Sequence, residues 1–360
     1  MADQTAFNGA AARRDYRLTG AEAQRALDRG LASAQWYQCP VPRKRMKELM
    51  QRSDARAARD LGLWLVLLVA TASGAVLAWG SLWCVPWFIA YGVLYGTMSN
   101  PVWHETGHGT AFKTRWLNNA FYQLACFMIG FEPDRWRWSH ARHHTDTIVV
   151  GRDPEIVEPR PPHLWKMALS LFQLPHLYAL AHSLLRHAGG RLSAEEQLFI
   201  PRGEWPRVYR TARVWLAIHA AVVALALWQH SWLPVLLVGL PTVYGGWLSY
   251  VFGLSQHVGL AEDELDHRSN CRTIYMNPVL RFLYLNMNYH LEHHMFPMVP
   301  YYRLAELHEE IRGDCPPPYP SLWAAYKEIL HVVWRQQREP GYFIRRPLPT
   351  PTPTAEEAAA

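Results

Sequence analysis

The chain alternates between long stretches without any charge and mixed polar blocks. From Leu61 to Asn100 there is no Asp, Glu, Lys or Arg. A membrane span takes about 20 apolar residues, so this stretch predicts two spans with a tight turn near Gly80 to Pro86. Val214 to Ala261 is again free of those residues, with a turn at 230–234. Each stretch reads as a helical hairpin, because a helix crosses lipid with all its backbone groups satisfied. The expected fold class is an all-α membrane protein with two transmembrane helical hairpins, four spans in all. Between the hairpins, Leu117 to Phe131 is apolar but short for a crossing and fits a half-span, a buried helix or an interfacial segment. Residues 164–187 intersperse His and Arg among apolar positions, as in an amphipathic helix on a membrane surface.

This pattern divides the chain into a polar, basic segment over 1–60, a membrane and cap domain over 61–310, and a segment over 311–360. The last ends in PLPTPTPTAEEAAA, a composition of disorder. The two hairpin turns lack Lys and Arg, whereas the terminal and central blocks carry nearly all of them. The positive-inside rule then puts those blocks in the cytosol. The 17 Trp suit membrane interfaces, and the net charge of +6 suits segments lying against anionic lipid. No basic helix or finger spacing supports nucleic-acid binding. Residues 1–20 contain no apolar core of a secretory signal, which leaves insertion to the spans. The five Cys are scattered without a CxxC, so they read as reduced, buried small hydrophobes.

Histidine placement changes the picture. HETGH supplies His104 and His108, four apart and therefore on one helix face. HARHH supplies His140, His143 and His144; HLEHH repeats that spacing with His290, His293 and His294. His257 follows the fourth expected span at the same membrane depth. Any one of these would pass as a surface residue, but nine at one membrane face would not. Nine neutral nitrogens exceed what one tetrahedral zinc uses, so two metals are the economical count. An open position on a redox metal points to O2 chemistry and to iron.

HETGHG, WSHARHH and NYHLEHHMFP resemble the three histidine boxes of the membrane fatty acid desaturase family, and the resemblance runs from about residue 60 to 310. It implies four transmembrane helices and a cytosolic helical cap holding a di-iron site. The implied ligands are His104, His108, His140, His143, His144, His257, His290, His293 and His294, with Asn286 or Asn288 assisting through water. The HPGG haem motif of some relatives is missing, which implies a separate electron donor, a ferredoxin or a flavoprotein reductase. Glu105, Asp146, Asp153, Glu155 and Glu292 sit in or beside the boxes as candidate partners for the ligands' other ring nitrogens. His163, His176, His182, His187 and His230 read as interface or surface residues.

The implied activity is an O2-dependent desaturase forming a C=C bond in an acyl chain or related aliphatic substrate. Rival readings are a di-iron hydroxylase of the same superfamily and a desaturase of a small amino-acid-derived metabolite that forms a vinyl ether. From another class comes a metal transporter or non-catalytic metal-binding membrane protein, which would place its ligands near the midplane of the spans. The Ala- and Arg-rich composition suggests a bacterial inner membrane, with metal site and termini on its cytoplasmic face.

Overall fold

The computed structural model describes residues 14–33 and 35–349. Most of the tail expected to be disordered lies outside them. Among the described residues the fold is all-helical, with two isolated β-bridges and no strand.

The first hairpin begins at Ser53, whose side chain caps the helix Asp54–Leu77. After a turn, the chain returns through residues 84–107 as Cys84–Gly92, a π-helical segment Val93–Met98, and Ser99–Gly107. A π segment inserts extra residues into the turn and rotates everything beyond it about the axis. Here it lies one to two turns before His104. The indole N–H of the buried Trp64 donates to the Leu94 carbonyl at 2.9 Å, a bond from outside the ladder.

The second hairpin differs. The helix Trp205–Trp228 is continuous, but the return limb breaks into Leu233–Leu237, Pro241–Gly245 and Trp247–His257. Pro241 removes a donor, and Gly239 takes a left-handed φ of 104°. The Tyr91 and Tyr244 hydroxyls donate to the Leu237 and Leu236 carbonyls near the break, at 2.9 and 2.7 Å. Among the described residues, Arg43–Leu77 and Arg202–Trp228 are the two stretches long and apolar enough, by length and composition, to cross a membrane. The two return limbs are interrupted. Trp79, Trp83, Trp228 and Trp232 are exposed around the two turns, the placement of an interfacial aromatic belt.

The limbs meet at glycines. A Cβ on Gly245 would lie 1.8 Å from the carbonyl carbon of Gly92, and one on Gly96 would lie 2.9 Å from the Gly246 nitrogen. Small residues let helices approach this closely. Gly245→Ala is expected to destabilise by at least the ~1–3 kcal/mol of core overpacking, because backbone rather than a movable side chain must yield. Gly62→Ala, with nothing within 4 Å, should be neutral. Thermal unfolding of both variants in detergent checks this, and equal melting temperatures would contradict it.

Between the hairpins, the apolar stretch at 117–131 forms the helix Arg115–Ile129, with Tyr122, Cys126 and Ile129 buried and Trp116 exposed. Residues 164–187 are two helices, Leu164–Ser170 and Leu174–Ala188, broken at Gln173 with φ +55°. Leu164, Trp165, Phe172, Leu174 and Tyr178 remain exposed along them, as an interfacial pair would leave them.

Candidate metal centre

Four elements carry the nine histidines inward. His104 lies in the last turn of 84–107, and His108 caps it. His140, His143 and His144 ride on the helix Pro133–Thr145, started by proline at its first position. His257 is the last residue of Trp247–His257. His290, His293 and His294 lie on the short buried helix His290–Met295.

They form two groups. His104, His108, His140, His144 and His293 make one, and His143, His257, His290 and His294 make the other; within each, the candidate ligand atoms lie within 4.8 Å of one another. The repeated HxxHH spacing is used in opposite senses. His140 and His144 face the first group and His143 the second, whereas His290 and His294 face the second and His293 the first. On a helix, i+3 and i+4 lie on opposite sides of i, so each short motif can feed two centres.

The inward Nε2 atoms pair at close range: His108 to His140 3.1 Å, His140 to His144 3.1 Å, and His144 to His293 3.2 Å. In the second group His257 lies 2.9 Å and His294 3.0 Å from His290. Nitrogens about 2.0–2.1 Å from a metal stand about 2.9 Å apart at a right angle and about 3.3 Å apart at a tetrahedral angle. The spacings fit nitrogens gathered around a common metal, and the five donors of the first group exceed what tetrahedral zinc takes.

Outer partners aim the rings. Nδ1 of His143 donates to Asp153 at 2.8 Å, and the same carboxylate accepts the Ile148 and Glu155 backbone N–H groups at 2.8 Å each. Ile148 holds φ at +55°, costly for a β-branched residue. Nδ1 of His140 donates to Glu155 at 2.9 Å, and Nδ1 of His257 to the Asn270 carbonyl at 2.8 Å. Nδ1 of His294 donates to Thr147 Oγ1 at 3.2 Å. Committing Nδ1 as donor leaves the Nε2 lone pair facing the centre. Glu105, fully buried, lies 3.6 Å from His293 Nδ1 and 3.8 Å from His104 Nδ1, beyond direct bonding. Burial, then the neighbouring imidazoles, hold His140, His144, His293 and His294 well below the ordinary imidazole value, so they are neutral donors. Burial also lowers His143, but Asp153 outweighs it and the net shift is upward. Burial pushes Glu155 up to about 7.

The other two acids serve elsewhere. Asp146 pairs with Arg142 and Arg152 at 3.3 and 3.1 Å. Glu292 accepts from Thr273 at 2.7 Å and from His308 at 2.5 Å. Asn286 is committed to Arg281 and the Tyr301 carbonyl; Asn288 donates to the Ile274 carbonyl and keeps a buried, unpartnered Oδ1.

His187 is not a surface or interface residue. It is wholly buried, bonded through Nδ1 to Glu132 at 2.8 Å and through Nε2 to Glu196 at 3.2 Å. Its partners lie 55 and 9 residues away, so local spacing carries no sign of them. His267 was likewise invisible. It stacks on Trp36 with centroids 4.3 Å apart, and with Cys271 it forms a third possible ligand group that shares His294.

A cavity of about 430 Å³ opens beside both groups, with His104, His140, His143, His257 and His290 on its wall together with Trp103, Phe131 and Phe252. A model of the family described as fatty acid desaturase matches residues 82–326. The chain is 28% identical to the sn-1 acyl-lipid omega-3 desaturase (ferredoxin) of Synechocystis, over 65% of this chain and 67% of that protein. It is 28% identical to the Delta(5) fatty acid desaturase fat-4 of Caenorhabditis elegans, over 56% of this chain and 51% of the relative. It is 23% identical to the acyl-lipid omega-3 desaturase (cytochrome b5), endoplasmic reticulum, of Arabidopsis thaliana, over 66% and 61%. The chain thus spans about half to two thirds of the length of these relatives.

Proposed function

The chain belongs to the fatty acid desaturase family, and from that premise we propose that it is an O2-dependent desaturase whose nine histidines hold two iron ions, five donors around one and four around the other. The single observation that carries this is the convergence of nine histidines into groups of five and four, with members of both groups on the wall of one cavity. Iron bound there supplies the O2 activation and the attack on an unactivated C–H bond that side chains cannot perform.

The chain's own residues do the rest. Asp153, Glu155 and the Asn270 carbonyl hold protons on Nδ1 and so keep the ligand rings in one tautomer. Trp103, Phe131 and Phe252 hold the aliphatic part against the histidines and keep water away. Two hydrogens leave adjacent carbons; with two further electrons and two protons they reduce O2 to two waters. Relatives named for ferredoxin and for cytochrome b5 support a separate protein as electron donor. The hairpins with their exposed tryptophans support four spans, two of them interrupted, with the histidines at the cytoplasmic face.

The test is elemental analysis and product mass. The purified protein is expected to carry two iron ions per chain, to consume O2 when reduced, and to release a product lacking two hydrogens. A product that gains an oxygen atom would make it a hydroxylase. Zinc in place of iron, without O2 uptake, would end the oxidase reading.

A further inference from the structure

The cavity beside the histidines, about 430 Å³, lies toward the lower end of the usual range for ligand sites, and amide and charged side chains share its wall with the aromatic ones. Most of its polar groups satisfy one another. Asn100 donates to Ser249 at 2.6 Å, and Gln256 donates to the Tyr284 hydroxyl at 2.7 Å. Gln173 donates to the Gly246 carbonyl at 3.1 Å. Apart from the histidines, the exceptions are the Trp103 indole nitrogen, a donor, and the acid Glu158. Glu158 lies on the cavity wall and is only 8% exposed. One carboxylate oxygen accepts from the Tyr250 hydroxyl at 2.8 Å; the other is buried and has no partner. A buried carboxylate with an unmet oxygen is expensive, and such groups mark sites completed by a ligand. Lys166, also on the wall, is exposed and solvent-screened, so it discriminates less.

We infer that the substrate of this cavity is a small aliphatic amine, whose ammonium binds the free oxygen of Glu158 while its hydrocarbon part lies along Trp103, Phe131 and Phe252 toward the histidines. This rests on the oxidase reading of the metal centre and sets its substrate class. A chain ending in a carboxylate meets repulsion from the same acid, and an uncharged chain leaves its oxygen unpaired. Tyr250 is a positioning residue, because its hydroxyl orients the carboxylate.

The test uses the full-length, iron-loaded chain in phosphatidylcholine nanodiscs. Binding of hexylammonium, hexanol and hexanoate is measured by calorimetry against empty nanodiscs. Hexylammonium is expected to bind about tenfold or more tighter than either of the others, the worth of one charged hydrogen bond. Glu158→Gln should remove that preference without changing iron content. Tyr250→Phe should weaken it severalfold and serves alone if the first variant does not accumulate. Equal binding of the three probes, or a preference that survives in every variant that folds, overturns the inference. Iron content is read on the same samples. Its absence would sink the oxidase reading, whereas two irons with no preference would sink only the amine.

Discussion

Replacing His257 and His290 together by alanine is expected to yield a folded chain that carries one iron in place of two and forms no product. The two residues belong to the four-donor group, with Nε2 atoms 2.9 Å apart. Their loss leaves that group His143 and His294, too few to hold a metal against solvent. The five-donor group keeps all its members, and none of its Nε2 contacts passes through His257 or His290. Product should fall to background if, as proposed, the O2 chemistry needs both metals. Replacing His108, His140 and His144 together by alanine, which leaves the five-donor group only His104 and His293, should remove the other iron. Iron counting by elemental analysis beside product analysis checks both. If either variant kept two irons, the division into five and four would be wrong.

Asp153→Asn is expected to cost about 10- to 100-fold in metal affinity or activity, the usual consequence of removing a carboxylate behind a ligating histidine. Asp153 is buried and does three things at once: it accepts from Nδ1 of His143, from the Ile148 N–H and from the Glu155 N–H. An amide keeps the shape but loses the charge and places an N–H₂ where an acceptor is needed. The strained turn at Ile148 loses its anchor in the same step. The iron of the four-donor group should therefore be stripped first by a chelator. Glu155→Gln, acting through His140, should loosen the five-donor iron instead. Timed chelation with iron counting separates the two. If both variants released the two irons at wild-type rates, these carboxylates would not support the centre.

Much of this organisation was legible in local sequence. Charge-free stretches marked both hairpins, and the spacing of HETGH, HARHH and HLEHH picked out histidines that the fold does bring together. Two of the five neighbouring acids, Asp153 and Glu155, do bond to those histidines, whereas Glu105 lies near His293 and His104 without reaching them. Spacing could not separate the bonded acids from Asp146 and Glu292, which serve arginines and His308. Nor could it show that a π segment precedes His104, or that the last limb breaks at Gly239 and Pro241.

The sequence by itself determined the all-helical class, the family and the histidines that the fold gathers, because each of these is written in the local order of residues along the chain. Only the tertiary structure decided how five and four of them divide, that His187 is buried between Glu132 and Glu196, and that Glu158 keeps a free oxygen on the cavity wall. The physical reason is that helical periodicity says which side chains share a face, whereas a metal or a buried acid is satisfied by groups from several faces at once. That meeting depends on glycine-thin crossings such as Gly92 against Gly245, which bring remote segments within bonding distance.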